Sequence, residues 1–271
     1  MPELPEVEVT RRALLRPLCG SRVLDVDMAK ALRWPLQCTP QSLAGQRIED
    51  IGRRGKYLLL GLEQGQLIVH LGMSGSLRWH GAGTAPPRGP HEHFRLRTDR
   101  GELRLNDPRR FGAVLWHADA RTPHPLLGRL GPEPLDPGFE GQQLWRAVHA
   151  RRAAIKPLLL DQAVVAGVGN IYACEALFRA GIDPRTPGRK LSLRRCQQLL
   201  DALRATLEQA LCAGGSTLRD FCSSDGAQGH FQQQAMVYGR AGQPCRRCAA
   251  PIAQMPQAQR STYFCRHCQR R

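Results

Sequence analysis

Two residues at the start of the chain have the types needed for covalent chemistry on a sugar carbon. The sequence opens Met1-Pro2-Glu3-Leu4-Pro5-Glu6. Removal of Met1 before a small residue exposes Pro2 as a secondary amine. An α-amine has a pKa of about 8 against about 10.4 for lysine, so roughly a tenth of it is neutral at pH 7. A neutral amine attacks carbon without needing burial to depress its pKa. Glu3, adjacent, can move protons. The same residues have a plainer use. Proline suits the first turn of a helix, and an acid there complements the helix dipole. These residues alone leave both readings open.

A second set is metal-ligating. Cys245-x2-Cys248, sixteen intervening residues and Cys265-x2-Cys268 have the four-cysteine zinc spacing. Each pair supplies two thiolates from one tight turn, and the arm between them folds back as a hairpin. Four protein ligands close the coordination sphere, so the expected cofactor is one structural Zn2+, with no redox or nucleotide cofactor. The competing reading is a pair of redox dithiols or disulfides. His267 lies between ligand positions and is not needed. Residues 238–271 carry seven arginines and no acids. So small a module needs the metal to fold, and Arg260 falls on its hairpin.

The elements that must position these groups show as changes of period. Leu4, Val7, Leu14, Leu15 and Leu18 keep helical spacing, and Gly20 is placed as a stop. Short strand-like runs follow at 22–27, 56–60, 66–70, 93–97 and 112–116, with an open loop at 81–90. Many short strands between Gly and Pro clusters predict a β-sandwich. Residues 122–138 are Pro-rich and read as a linker. Helical spacing then returns at 144–149, 155–161, 170–180 and 191–211, with Gly214-Gly215 ending the longest. Residues 223–234 read as a mobile loop. The expected fold is α+β and multidomain, divided as 1–121, 122–138, 139–236 and 237–271.

Composition narrows the partner. Of the residues, 42% are hydrophobic and 23% charged, enough for a real core and against intrinsic disorder. Lys+Arg number 39 against 23 Asp+Glu, a net charge of +16. Such an excess, mostly arginine, favours a nucleic-acid partner, although a GC-rich genome also raises arginine. No run of 18 apolar residues predicts a membrane span. Glu3, Glu6 and Glu8 sit where a signal peptide avoids acids, and six scattered cysteines suit a reducing compartment, so a bacterial-type cytoplasmic location is expected.

Several segments carry a resemblance beyond these patterns. They are Met1-Pro-Glu-Leu-Pro-Glu-Val-Glu, Arg54-Gly-Lys-Tyr-Leu-Leu-Leu, His70-Leu-Gly-Met-Ser-Gly-Ser-Leu, Asn106-Asp-Pro-Arg-Arg-Phe-Gly, Val168-Gly-Asn-Ile-Tyr-Ala, Val237-Tyr-Gly-Arg and Ala258-Gln-Arg before the second cysteine pair. In this order the chain resembles a formamidopyrimidine-DNA glycosylase over essentially its whole length. The resemblance implies an N-terminal helix and β-sandwich, a helix–two-turns–helix domain and a zinc finger. It implies base excision repair of oxidised purines, 8-oxoguanine and formamidopyrimidines, in double-stranded DNA, followed by nicking at the abasic site.

Roles follow from the resemblance. Pro2 is the Schiff-base nucleophile and Glu3 the general acid/base, with Glu6 in support. Lys56 assists β-elimination and Arg260 δ-elimination. Met73, Arg109 and Phe111 fill the gap left by an extruded nucleotide. His70, Asn170 and Tyr172 join Lys56 and Arg260 as phosphate contacts, His91 and Arg151 also meet DNA, and Lys156 and Arg219 lie near the lesion pocket. Residues 223–234 cover the extruded base. A monomer is expected. Each role has a plainer counterpart: a rim charge for Lys56, a helix-start acid for Glu6, core residues for Met73 and Phe111, an N-cap for Asn170. The alternatives are an endonuclease VIII-type glycosylase for oxidised pyrimidines, a non-catalytic zinc-finger DNA-binding protein and a nucleic-acid chaperone.

Overall fold

The computed structural model describes residues 1–119, 121–216 and 231–271. Helix α1 (Leu4–Leu18) begins at the first possible place because Glu3 and Glu6 form a reciprocal capping box, with the Glu3 N–H donating to Glu6 Oε2 at 2.9 Å. Leu4, Val7, Leu14 and Leu18 are buried, and Gly20 takes φ +80 just past the helix end.

Eight strands follow: β1 (Val23–Met28), β2 (Ile48–Arg54), β3 (Tyr57–Leu62), β4 (Gly65–His70), β5 (Ser76–Gly81), β6 (Glu92–Thr98), β7 (Gly101–Asn106) and β8 (Ala113–His117). They form two antiparallel four-stranded sheets, in the orders β1-β6-β7-β5 and β2-β3-β4-β8. Period two is plain in β3, where Leu58, Leu60 and Leu62 are buried. Each such leucine is worth about 1.5–3 kcal/mol of burial. Residues of both sheets and of α1 share one hydrophobic core, which makes the pair a sandwich.

Three strands lay outside the strand-like runs of the sequence. In β2 a register shift between Ile48 and Asp50 breaks the alternation, leaving Ile48 and Ile51 as its buried pair. β5 has only Ser76 and Leu77 buried. β7 is buried on both faces, because Arg104 lies in a buried ionic cluster with Glu92 and Glu102. Its charged residues hide a strand that carries core leucines on the other face.

The remaining elements are mainly helical: α2 (Pro125–Gly128), α3 (Gly141–His149), α4 (Ile155–Leu160), α5 (Asn170–Arg179), α6 (Leu193–Cys212) and α7 (Phe231–Gln234), then the hairpin β9 (Ala253–Gln257) and β10 (Arg260–Phe264). Residues 122–138 contain α2, and Arg204 of α6 donates to the carbonyls of Pro134, Asp136 and Phe139. Of the expected loop 223–234, the last four residues form α7, while 223–230 and Arg219 lie outside the described residues. The cysteine module is not separate. Cys245, Ile252 and Cys265 share a small core with Cys174 and Phe178 of α5. The chain divides into two units, Met1–Gly128 with Ala213–His230, and Arg129–Cys212 with Phe231–Arg271.

Candidate active site

In the first unit, Pro2 is buried and immediately precedes the capping box. Glu3 is 2% exposed, and Glu6 is fully buried. The second oxygen of Glu6 accepts the Ser216 N–H at 2.7 Å and its hydroxyl at 2.8 Å. Glu6 therefore ties the helix start to the segment after α6. Glu8 anchors α1 to β2, bonding Arg11, Arg12 and Arg53. Burial pushes the Glu8 carboxyl up, but the bonds to Arg11 and Arg12 and the charges of Arg11 and Arg53 outweigh it and hold it at about 2. α1 packs on β2 and β3, and the tight turn joining those strands carries Lys56. Gly55 supplies the left-handed φ of +55 that the turn needs. Lys56 is only 9% exposed, so it is not a solvated rim charge.

His70, at the end of β4, is aligned by Gly72, whose N–H donates to its Nδ1 at 3.0 Å. Its Nε2 is then the nitrogen that bears hydrogen in the neutral ring. Burial, and then the charges of Lys56 and Arg33, lower its pKa to about 4, against a smaller opposing pull from Asp107. At neutral pH His70 is an uncharged donor. Met73 and Phe111 are large hydrophobic side chains left exposed on their loops, at 42% and 43%. The Arg109 guanidinium lies 4.9 Å from the Phe111 ring centre. His91 is exposed, its ring 6.4 Å from that of His93.

The second unit places two of the expected residues deep in its interior. Tyr172 is wholly buried and packs its ring 5.3 Å from Phe231. Its phenol ring is part of the core of this unit. Lys156 is also wholly buried. Its Nζ donates to Thr262 Oγ1 at 2.7 Å and to the Ser261 carbonyl at 3.3 Å, so it braces β10. Asn170 Nδ2 donates to the same carbonyl at 2.9 Å. Arg260, the next residue back, is exposed. Arg151 is paired with Asp161 at 2.8 Å.

The four thiol sulfurs of Cys245, Cys248, Cys265 and Cys268 lie within 4.8 Å of one another. Tetrahedral Zn–S bonds of about 2.3 Å place sulfurs about 3.8 Å apart. The separations of 3.9 Å for Cys245–Cys268 and 3.5 Å for Cys248–Cys265 fit that ion. A structural zinc closed by four thiolates supplies folding energy rather than chemistry.

Sequence reasoning gave no role to two buried acids. Glu175 accepts the N–H groups of Met236, Val237 and Tyr238 at 2.8, 2.9 and 2.8 Å. Asp107 joins the loops of Met73 and Phe111. Its only signal was its place inside the Asn106–Gly112 segment.

Three family descriptions match the chain: "Formamidopyrimidine-DNA glycosylase N-terminal domain" over residues 1–114, "Formamidopyrimidine-DNA glycosylase H2TH domain" over 130–222, and "Zinc finger found in FPG and IleRS" over 242–271. A formamidopyrimidine-DNA glycosylase of Albidiferax ferrireducens is 54% identical over 272 residues, covering 100% of both chains. The chain belongs to the formamidopyrimidine-DNA glycosylase family. Solved structures agree with this. The MutM (Fpg) protein of Thermus thermophilus is 41% identical with a TM-score of 0.88, covering 99% of this chain and 98% of that one. A Lactococcus lactis Fpg mutant, solved with Fapy-dG-containing DNA, is 33% identical with a TM-score of 0.92, covering 100% of both chains. As a formamidopyrimidine-DNA glycosylase the chain is a base-excision-repair enzyme, which sets aside the non-catalytic zinc-finger reading. Among the described residues no helix is long and apolar enough to cross a membrane.

Proposed function

We propose that this glycosylase excises oxidised purines from duplex DNA through a covalent imine at Pro2 and then nicks the strand by successive β- and δ-elimination. The observation that carries the reading is the capping box, which starts α1 beside Pro2 and buries Glu3 next to it. The Lactococcus enzyme held with Fapy-dG DNA supports the substrate class.

The Pro2 lone pair forms the N–C1′ bond while the C1′–base bond breaks, and its electrons leave with the base, which takes a proton from solvent. Glu3 accepts the N–H proton and returns it to the ring oxygen as the sugar opens, leaving a cationic iminium. That cation acidifies the C2′ hydrogen. Loss of this proton expels the 3′ phosphate, with Lys56 assisting, and a second elimination expels the 5′ phosphate, with Arg260 assisting. His70, Asn170, His91 and Arg151 hold the DNA. Met73, Arg109 and Phe111 occupy the space of the extruded nucleotide, a few kcal/mol of lost stacking being partly recovered by the planar groups. The protein acts as a monomer in the cytoplasm.

Incubation with 8-oxoguanine opposite cytosine in the presence of borohydride tests this. The trapped cross-link is expected on the N-terminal peptide at Pro2. Pro2→Gly keeps an α-amine and should retain some trapping, whereas retention of Met1 should abolish it. A cross-link mapping to Lys56 overturns the assignment.

A further inference from the structure

Met73 lies between β4 and β5, while Arg109 and Phe111 lie between β7 and β8. Each loop crosses from one sheet to the other, since β4 and β8 belong to one sheet and β5 and β7 to the second. Side chains on two such loops keep a common geometry only if something joins the loops.

Asp107 does so. It is completely buried. Its Oδ1 accepts the Ser74 hydroxyl at 2.8 Å, and its Oδ2 accepts the Gly112 N–H at 2.7 Å. Ser74 follows Met73, and Gly112 follows Phe111. The Asp107 N–H donates to the His91 carbonyl at 2.8 Å, and its own carbonyl accepts the Arg110 N–H at 3.1 Å. The two loops also touch through backbone. A Cβ on Gly72 would lie 2.4 Å from the Phe111 carbonyl carbon, and Gly72 sits at φ +66. Arg110 takes φ +55, completing a tight turn between Arg109 and Phe111.

We propose that Asp107 is a positioning residue that locks Met73 and the Arg109–Phe111 pair into one preformed wedge, so that insertion into the duplex needs no ordering of either loop. The proposal rests on the wedge reading of those three residues. An ionised carboxylate suits the position because both facing groups are donors. Alanine leaves the two donors unmet and the loops untied. Asparagine keeps the joint: its amide oxygen accepts from Gly112, and its NH2 donates to Ser74, whose hydroxyl turns to serve as acceptor.

The test uses full-length, zinc-loaded protein as Asp107→Ala, Asp107→Asn, Ser74→Ala and Met73→Ala. Two single-turnover rates are measured: release of 8-oxoguanine from intact duplex, and strand cleavage at a pre-formed abasic site. Both are normalised to active sites by borohydride trapping. A 2-aminopurine beside the lesion reports unstacking. Asp107→Ala and Met73→Ala are expected to slow release about tenfold more than abasic cleavage, because the abasic nucleotide is already partly unstacked, and to lose the fluorescence rise. Ser74→Ala should fall between them and native, and Asp107→Asn should recover most of the loss. If Met73→Ala separates the two rates and Asp107→Ala or, should that variant not fold, Ser74→Ala does not, Asp107 only stabilises the fold and the proposal fails. It also fails if Asp107→Asn is as impaired as Asp107→Ala. If Met73→Ala slows both steps equally, the wedge reading itself falls and takes the proposal with it.

Discussion

The His70 imidazole is held in one protonation state by its surroundings. An unfolded histidine titrates at about 6.5, and folded His70 titrates at about 4 because of burial and the nearby charges of Lys56 and Arg33. Between those values the unfolded chain binds a proton that the native protein excludes. The stability this group contributes is therefore full above about pH 6.5 and is lost as the pH falls towards about 4. The ring resonances of His70 should accordingly move only near pH 4. A neutral donor also releases no counterion on meeting a phosphate. His70→Ala should weaken DNA binding and leave its salt dependence unchanged, whereas Lys56→Ala should reduce the slope of log K against log salt by about 0.9. A reduced slope for His70→Ala would show that the ring is charged when bound.

The hairpin β9–β10 is an element held against its local preference. Its two-residue turn is Ala258-Gln259, at φ 48 and 59. Such turns favour Asn-Gly, because side chains resist the left-handed region at a cost of about 1–2 kcal/mol per residue. Tertiary bonds offset that strain: Lys156 and Asn170 both grip the Ser261 carbonyl, one residue beyond Arg260. The double variant Ala258→Asn, Gln259→Gly should raise the calorimetric midpoint of the zinc-loaded protein by several degrees, at about 2–4 °C per kcal/mol. An unchanged or lower midpoint would mean that the bonds to Ser261 already set the turn without strain.

Across the whole molecule, the sandwich core and the small core around the cysteines draw on different residues. Removing zinc should therefore act unevenly. Treatment with a strong chelator, or Cys248→Ser, should strip amide protection from β9, β10 and the end of α5 while β3 and β4 stay protected in hydrogen exchange. DNA affinity should fall together with the second unit, since residues 238–271 hold seven arginines of a chain with net charge +16. Loss of protection in β3 and β4 at the same zinc level would show that the two cores unfold as one.

By itself the sequence determined the chemistry-bearing sets whose members are close along the chain. The two cysteine pairs declare themselves by type and spacing, Pro2 with Glu3 gain a role only through the family resemblance, and the period of the apolar residues declared α1, β3 and α6. The tertiary structure alone decided which residues of the buried helices are core. α5 is buried on nearly every face, with Ile171 through Phe178 all enclosed, so no periodicity could tell that Tyr172 points into the core. The bracing of β10 by Lys156 was hidden because its partners, Ser261 and Thr262, lie more than a hundred residues away. The bulge in β2 and the buried ions beside β7 masked strands by breaking the apolar–polar alternation. Asp107 is an ordinary loop acid in the sequence and becomes a joint only when folding brings Ser74, 33 residues earlier, to meet it. Local spacing encodes groups that act within one turn or one strand, and a hydrogen bond between distant segments leaves no such trace.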